Sequence, residues 1–108
     1  MDIATTLELV TFKAVAGTTD EDLRNAAHAV TPVLREYRGF VSRSIAQADD
    51  GTWIDAVYWA DRTSAETAAS AIMQAPAAQA FFALIDPSSM VFQHAVITSE
   101  NGERPTGT

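Results

Sequence analysis

Residues 49–60 read Asp-Asp-Gly-Thr-Trp-Ile-Asp-Ala-Val-Tyr-Trp-Ala, and this stretch decides the fold. Asp50-Gly51 is a two-residue hairpin signal of the type I′ class, in which both central residues take positive φ. The strand after it is apolar or aromatic on both faces. Trp53, Asp55, Val57 and Trp59 alternate with Ile54, Ala56 and Tyr58. A strand with no water-facing side has to be covered twice.

Working outward, residues 40–48 form the partner strand of this hairpin and residues 52–60 the hairpin's second arm. Upstream, residues 5–14 are rich in β-branched and aromatic types and read as a first strand. Gly17 ends it. Thr18-Thr19-Asp20-Glu21 has the spacing of a capping box, with Thr18 as the cap. Leu23, Ala26, Ala27, Val30, Leu34 and Tyr37 follow as one apolar helical face, and Gly39 closes the segment. Pro32 removes one hydrogen bond inside this helix. Downstream, Thr63-Ser64-Ala65-Glu66 reads as a second capping box before an alanine-rich helix. Pro76 interrupts that helix and restarts it through Phe81, Phe82 and Leu84. Residues 89–98 make a last strand, and residues 99–108 read as a polar tail.

The order is β-α-β-β-α-β. Right-handed crossovers from both halves give a four-stranded antiparallel sheet with helices on one face, the α+β ferredoxin-like arrangement, in the order 4-1-3-2. The expected domain is a single one over residues 1–98. Strand parity then raises a difficulty. Leu7 and Leu9 oppose Val10 and Phe12 on the first strand, and Met90, Phe92, His94 and Val96 oppose Val91, Gln93, Ala95 and Ile97 on the last. Two helices can cover only one side of such a sheet. The other side leaves an apolar patch larger than the roughly few hundred Å² that monomers tolerate. A homodimer joined through the sheet face is the expected remedy. Parity leaves open which face meets the helices.

Composition narrows the chemistry. At 108 residues the chain supports one core. Its net charge of −7, with only seven Lys and Arg, argues against nucleic acid and anionic membrane surfaces as partners. No cysteine is present, which removes disulfides and thiolate chemistry and suits a cytoplasmic location. No apolar run reaches the roughly 20 residues of a membrane span, and Met1-Asp2 does not open a basic signal sequence. No phosphate loop, H-E-x-x-H or nucleophile elbow occurs, and two histidines far apart do not make a metal site.

The remaining candidates are few. His94, mid-strand among apolar residues, suits a general base or ligand anchor near neutral pH; the same placement also suits a core histidine satisfied by a neighbour. His28 lies off the apolar stripe of its helix. Asp55 shares a face with both tryptophans and needs a partner; Arg43 on the neighbouring strand is the first choice, with His94 more distant. Hairpin register decides whether Arg43 reaches it. Trp59, Tyr58 and Trp53 fill core. The small side chains of the second helix suit either a close approach to the sheet or a space for a planar ligand, with Met73, Phe81 and Phe82 then as a pliable wall.

The chain resembles the dimeric α/β barrel proteins, and among them the antibiotic biosynthesis monooxygenase-like group. The resemblance covers roughly residues 5–98. It rests on Arg38-Gly39-Phe40 entering the second strand and on Gly51-Thr52-Trp53 in the hairpin. Tyr58-Trp59 ahead of the alanine-rich helix and the Ser89-x-x-x-x-His94 strand complete it. It implies a dimer with a pocket between sheet and helices in each subunit. Some members oxidise aromatic polyketides with molecular oxygen and without metal or flavin, and Trp59 matches a pocket tryptophan at the end of the third strand. The expected activity is therefore cofactor-independent oxygenation, or binding, of a flat aromatic molecule, with His94 as base and Trp59, Tyr58, Met73, Phe81 and Phe82 around the ligand. The alternatives are a non-catalytic or stress-related barrel that binds a small apolar ligand, and a haem-binding degrader in which His94 or His28 supplies the axial ligand.

Overall fold

The computed structural model describes residues 3–102. Met1-Asp2 and residues 103–108 of the polar tail lie outside the described residues. Four strands, β1 (Thr6–Phe12), β2 (Phe40–Gln47), β3 (Trp53–Trp59) and β4 (Val91–Val96), form one antiparallel sheet in the order β2-β3-β1-β4. Helix α1 (Asp20–Leu34) joins β1 to β2. Helix α2 (Arg62–Ala71), a 3₁₀ turn (Ile72–Gln74) and helix α3 (Pro76–Phe82) join β3 to β4. This is the expected ferredoxin-like α+β fold.

The parity question is resolved in favour of the even residues of β1 and the odd residues of β3. Val10, Phe12, Trp53, Val57 and Trp59 pack with Leu23, Ala27, Val30 and Leu34 of α1, Ala65 and Ala68 of α2, and Ala78 and Phe81 of α3. Alanines on α2 let the helix lie close to the sheet. Leu7, Leu9, Ile54, Ala56 and Tyr58 point to the other side, where they are half-buried. Strand β4 is the exception to the layering: Phe92 and Val96 share the helix side with Val10 and Thr6, yet remain 45% and 69% exposed. The helix layer stops short of that edge.

Three local expectations are corrected. The cap of α1 is Thr19, whose hydroxyl accepts from the Asp22 N–H at 3.0 Å, not Thr18. The cap of α2 is Asp61, accepting from the Ser64 N–H at 2.7 Å, so the helix starts before Thr63. An aspartate two residues upstream supplied the same acceptor chemistry.

The hairpin is the third, and it has the largest consequence. Gly51 has φ +90°, but among the described residues no non-glycine residue takes positive φ, which excludes type I′. Instead the Gly51 N–H bonds to Ala48 O, and the Ala48 N–H to Thr52 O. The loop is a three-residue one, a turn over Asp49-Asp50 followed by glycine in the left-handed region. The Asp50 carboxylate accepts from the Thr52 N–H at 3.0 Å, which holds its carboxyl below the usual range. With a two-residue loop, Asp49 would pair with Thr52 and Arg43 would fall opposite Tyr58. The longer loop shifts the ladder by one, so Arg43 lies opposite Val57 and shares the helix side with Asp55. A bulge between Phe40 and Ser42 then turns Phe40 back to the helix side, edge-on to Trp59 at 5.9 Å.

The helix-to-strand junction depends on Gly39, at φ +88°. A Cβ there would collide with the Ser64 side chain on α2, so the backbone of this turn touches the second crossover directly.

Candidate functional site

Charged side chains cross the helix side of the sheet in one row. The register places Arg43 opposite Val57, Val57 opposite Glu8, and Glu8 opposite His94. Asp55 lies one step along the same face, opposite Val10 and Ile45. The row divides into a closed centre and a second centre at the β4 edge.

The closed centre is Arg43 and Asp55. Arg43 Nε donates to Asp55 Oδ1 at 2.9 Å and Nη2 to Oδ2 at 2.7 Å, a bidentate pair. Nη1 donates to Ala27 O at 2.6 Å and to Thr31 Oγ1 at 3.0 Å. The guanidinium also lies 5.7 Å from the centre of the Phe81 ring. Arg43 is 1% exposed. Burying this charge is tolerable only because nearly every donor is matched. The pair joins the hairpin to α1 and presents no free atom to a ligand.

The second centre is His94 and Glu8. His94 Nε2 lies 3.0 Å from Glu8 Oε1, and both side chains are largely enclosed. The Phe92 ring stands edge-on to the imidazole at 5.1 Å. Burial pushes the Glu8 carboxyl above the ordinary glutamate value, and its contact with His94 opposes that rise. Asp55 adds to the rise and Arg43 lowers it, so the two centres feel each other through the sheet. An imidazole oriented by a carboxylate is the usual arrangement of a side-chain base. Glu8 was not singled out from sequence. Its signal was parity: it stands between Thr6 and Val10 on the face that also carries Phe12.

The remaining candidates do not converge on this pair. Trp59 is fully enclosed, and its Nε1 donor has no partner among the described residues. Tyr58, its neighbour, points to the opposite face. Phe81 is buried, in edge contact with Phe12 and Phe82 at 5.7 Å each. Phe82 is half-buried, Met73 is 40% exposed and His28 is exposed. An open cleft of about 390 Å³ lies elsewhere, lined by Tyr37, Arg38, Asp61, Thr63, Ser64 and Thr67. Each of its six lining residues carries a polar or charged group, and Asp61 there is committed to capping α2. Among the described residues no group of three or more His, Asp or Glu could hold a metal ion, and no helix is long and apolar enough to cross a membrane. The contact of Nε2 with Glu8 also occupies the nitrogen that a haem iron would commonly take.

Fold and site together define a small α+β protein with the fold of the antibiotic biosynthesis monooxygenase-like and dimeric ferredoxin-like proteins. One similar solved structure is that of SnoaB, a cofactor-independent oxygenase from Streptomyces nogalater. It has a TM-score of 0.68 and 15% identity over 93% of this chain and 97% of that one. A Chloroflexus aurantiacus protein assigned as an antibiotic biosynthesis monooxygenase has a TM-score of 0.63 and 18% identity, over 91% and 98% of the two chains. A dimeric ferredoxin-like protein from an uncultured marine organism has a TM-score of 0.65 and 9% identity, over 95% and 96%. At these identities the likeness is one of fold. No family model matches the chain, and no curated protein matches it in sequence.

Proposed function

We propose that the protein is a cofactor-independent oxygenase that acts on a flat, acidic aromatic molecule of the polyketide type. The observation that carries this reading is the Glu8–His94 pair on the helix side of the sheet, in a fold shared with a cofactor-independent oxygenase. Such chemistry needs little from the protein. His94 removes a proton from an activated ring CH₂, and the carbanion passes its electrons to molecular oxygen. A hydroperoxide forms at that carbon and loses water to leave a carbonyl. One oxygen atom stays in the product and the other leaves as water. The substrate itself supplies the reducing electrons, so no flavin or metal enters the balance. Phe92 beside the imidazole offers a flat ring an apolar wall.

The assay is oxygen-dependent turnover of an anthrone-type substrate. Consumption of oxygen is expected, with the rate reduced about 10²–10⁴-fold in His94→Ala, the usual contribution of a positioned base. Turnover that is unchanged without oxygen, or unchanged in His94→Ala, rejects the mechanism.

The working unit in this reading is a homodimer joined through the sheet face opposite the helices. Leu7, Leu9, Ile54, Ala56 and Tyr58 give that face its apolar character, and the helices leave it uncovered. Mass measured in solution at micromolar concentration should be that of two chains, and Leu9→Glu should shift it towards one. A wild-type monomer at that concentration overturns the dimer.

A further inference from the structure

We infer that Glu8 is a positioning residue: it holds His94 with its proton on Nε2, which makes Nδ1 the atom that accepts a proton from substrate. The inference rests on the oxygenase reading for its chemical purpose, but its structural content stands separately.

A neutral imidazole has one N–H and one lone pair, and an ionised carboxylate only accepts. Glu8 Oε1 faces Nε2 at 3.0 Å, so with Glu8 ionised it is Nε2 that carries the hydrogen and donates it. The lone pair is therefore on Nδ1. The His94 side chain is 8% exposed and sits beside the exposed Phe92 ring at the β4 edge, the side from which a substrate would approach Nδ1.

Glu8 belongs to β1, an inner strand laddered to β3 on one side and β4 on the other. Its backbone cannot swing away, and it lies directly opposite His94 in the ladder. An edge strand alone would leave the imidazole free to rotate; the inner-strand carboxylate fixes it. When Nδ1 takes a proton, the imidazolium faces a carboxylate already in contact, which stabilises the charged state without rearrangement. Asp55 on β3 adds negative potential to this pair and Arg43 on β2 offsets it.

The test is nitrogen-resolved NMR of the uniformly labelled full chain, at a pH where imidazole is neutral. Only two histidines contribute, and His28 is exposed. For His94 the expected result is a pyrrole-type Nε2 with a slowly exchanging proton and a pyridine-type Nδ1. Glu8→Leu should admit the second tautomer, speed that exchange and lower kcat by about 10²-fold with KM nearly unchanged. Glu8→Gln, whose amide oxygen still accepts from Nε2, should retain the tautomer. A bare Nε2 in the wild type overturns the inference, as does a Glu8→Leu variant with unaltered tautomer and kcat. Wild-type protein with the expected tautomer but no oxygen-dependent turnover would reject the oxygenase reading and leave the positioning role intact.

Discussion

Arg43→Ala should destabilise the protein by about 3–5 kcal/mol, measured as the loss of unfolding free energy in denaturant. The magnitude follows from what the substitution leaves behind. Asp55 is 7% exposed and takes both of its hydrogen bonds to side chains from Arg43. Without the guanidinium it becomes an enclosed, unpaired carboxylate, and Ala27 O and Thr31 Oγ1 lose their shared donor. Most of the cost is this stranded polarity rather than the attraction itself. It follows that Arg43→Met combined with Asp55→Leu should recover most of the loss, since apolar replacement of a buried pair is often neutral or stabilising. A double variant as unstable as Arg43→Ala would mean that the pair contributes net attraction well beyond its desolvation cost. A single variant that loses less than about 1 kcal/mol would mean that water reaches Asp55.

That pair also marks the border of what was legible in the sequence. The alternation of Trp53, Asp55, Val57 and Trp59 and the turn residues around them were enough for the element order and the sheet topology. Hydrophobic period and turn chemistry are local properties, and the ferredoxin-like arrangement follows from them. The pairing of Arg43 with Asp55 was not settled by the same means. It depends on one residue of loop length: Asp50-Gly51 fits a two-residue turn, whereas the chain uses Asp49-Asp50-Gly51. The two loops differ little locally, yet they place Arg43 on opposite faces of the sheet. Burial arbitrates, because only the longer loop gives Asp55 a cation. Glu8 was hidden for a different reason. Its partner is 86 residues away in the chain, and the contact exists only because β4 returns to lie beside β1. The alanine-rich α2 leaves two readings open in the sequence, because small side chains can make room for a ligand or for a close neighbour; Ala65 and Ala68 are buried in the core.

Trp59→Ala should cost about 3–5 kcal/mol, the range for deleting a fully enclosed large aromatic side chain. The ring is 0% exposed, stands edge-on to Phe40 and closes the end of the core between β3 and α2. Surrounding strands hold their positions through the ladder, so collapse into the space would be partial and a cavity would remain. Thermal or denaturant unfolding reads the effect directly, and a loss below about 1 kcal/mol would show that the site relaxes freely. The same substitution is a poor probe of activity, since lost turnover in a destabilised protein says nothing about ligand contact. Trp59→Phe separates the two. It keeps an aromatic ring against Phe40 and removes Nε1, a buried donor without an acceptor among the described residues, so the lost area is partly offset by a removed desolvation penalty. If Trp59 serves packing alone, the Phe variant should be far less destabilised than the Ala variant and should turn over substrate at nearly the wild-type rate. A Phe variant that folds as wild type yet loses turnover would show that the indole N–H meets the substrate after an opening of the core, and would move the binding site from the β4 edge to the space beneath α2.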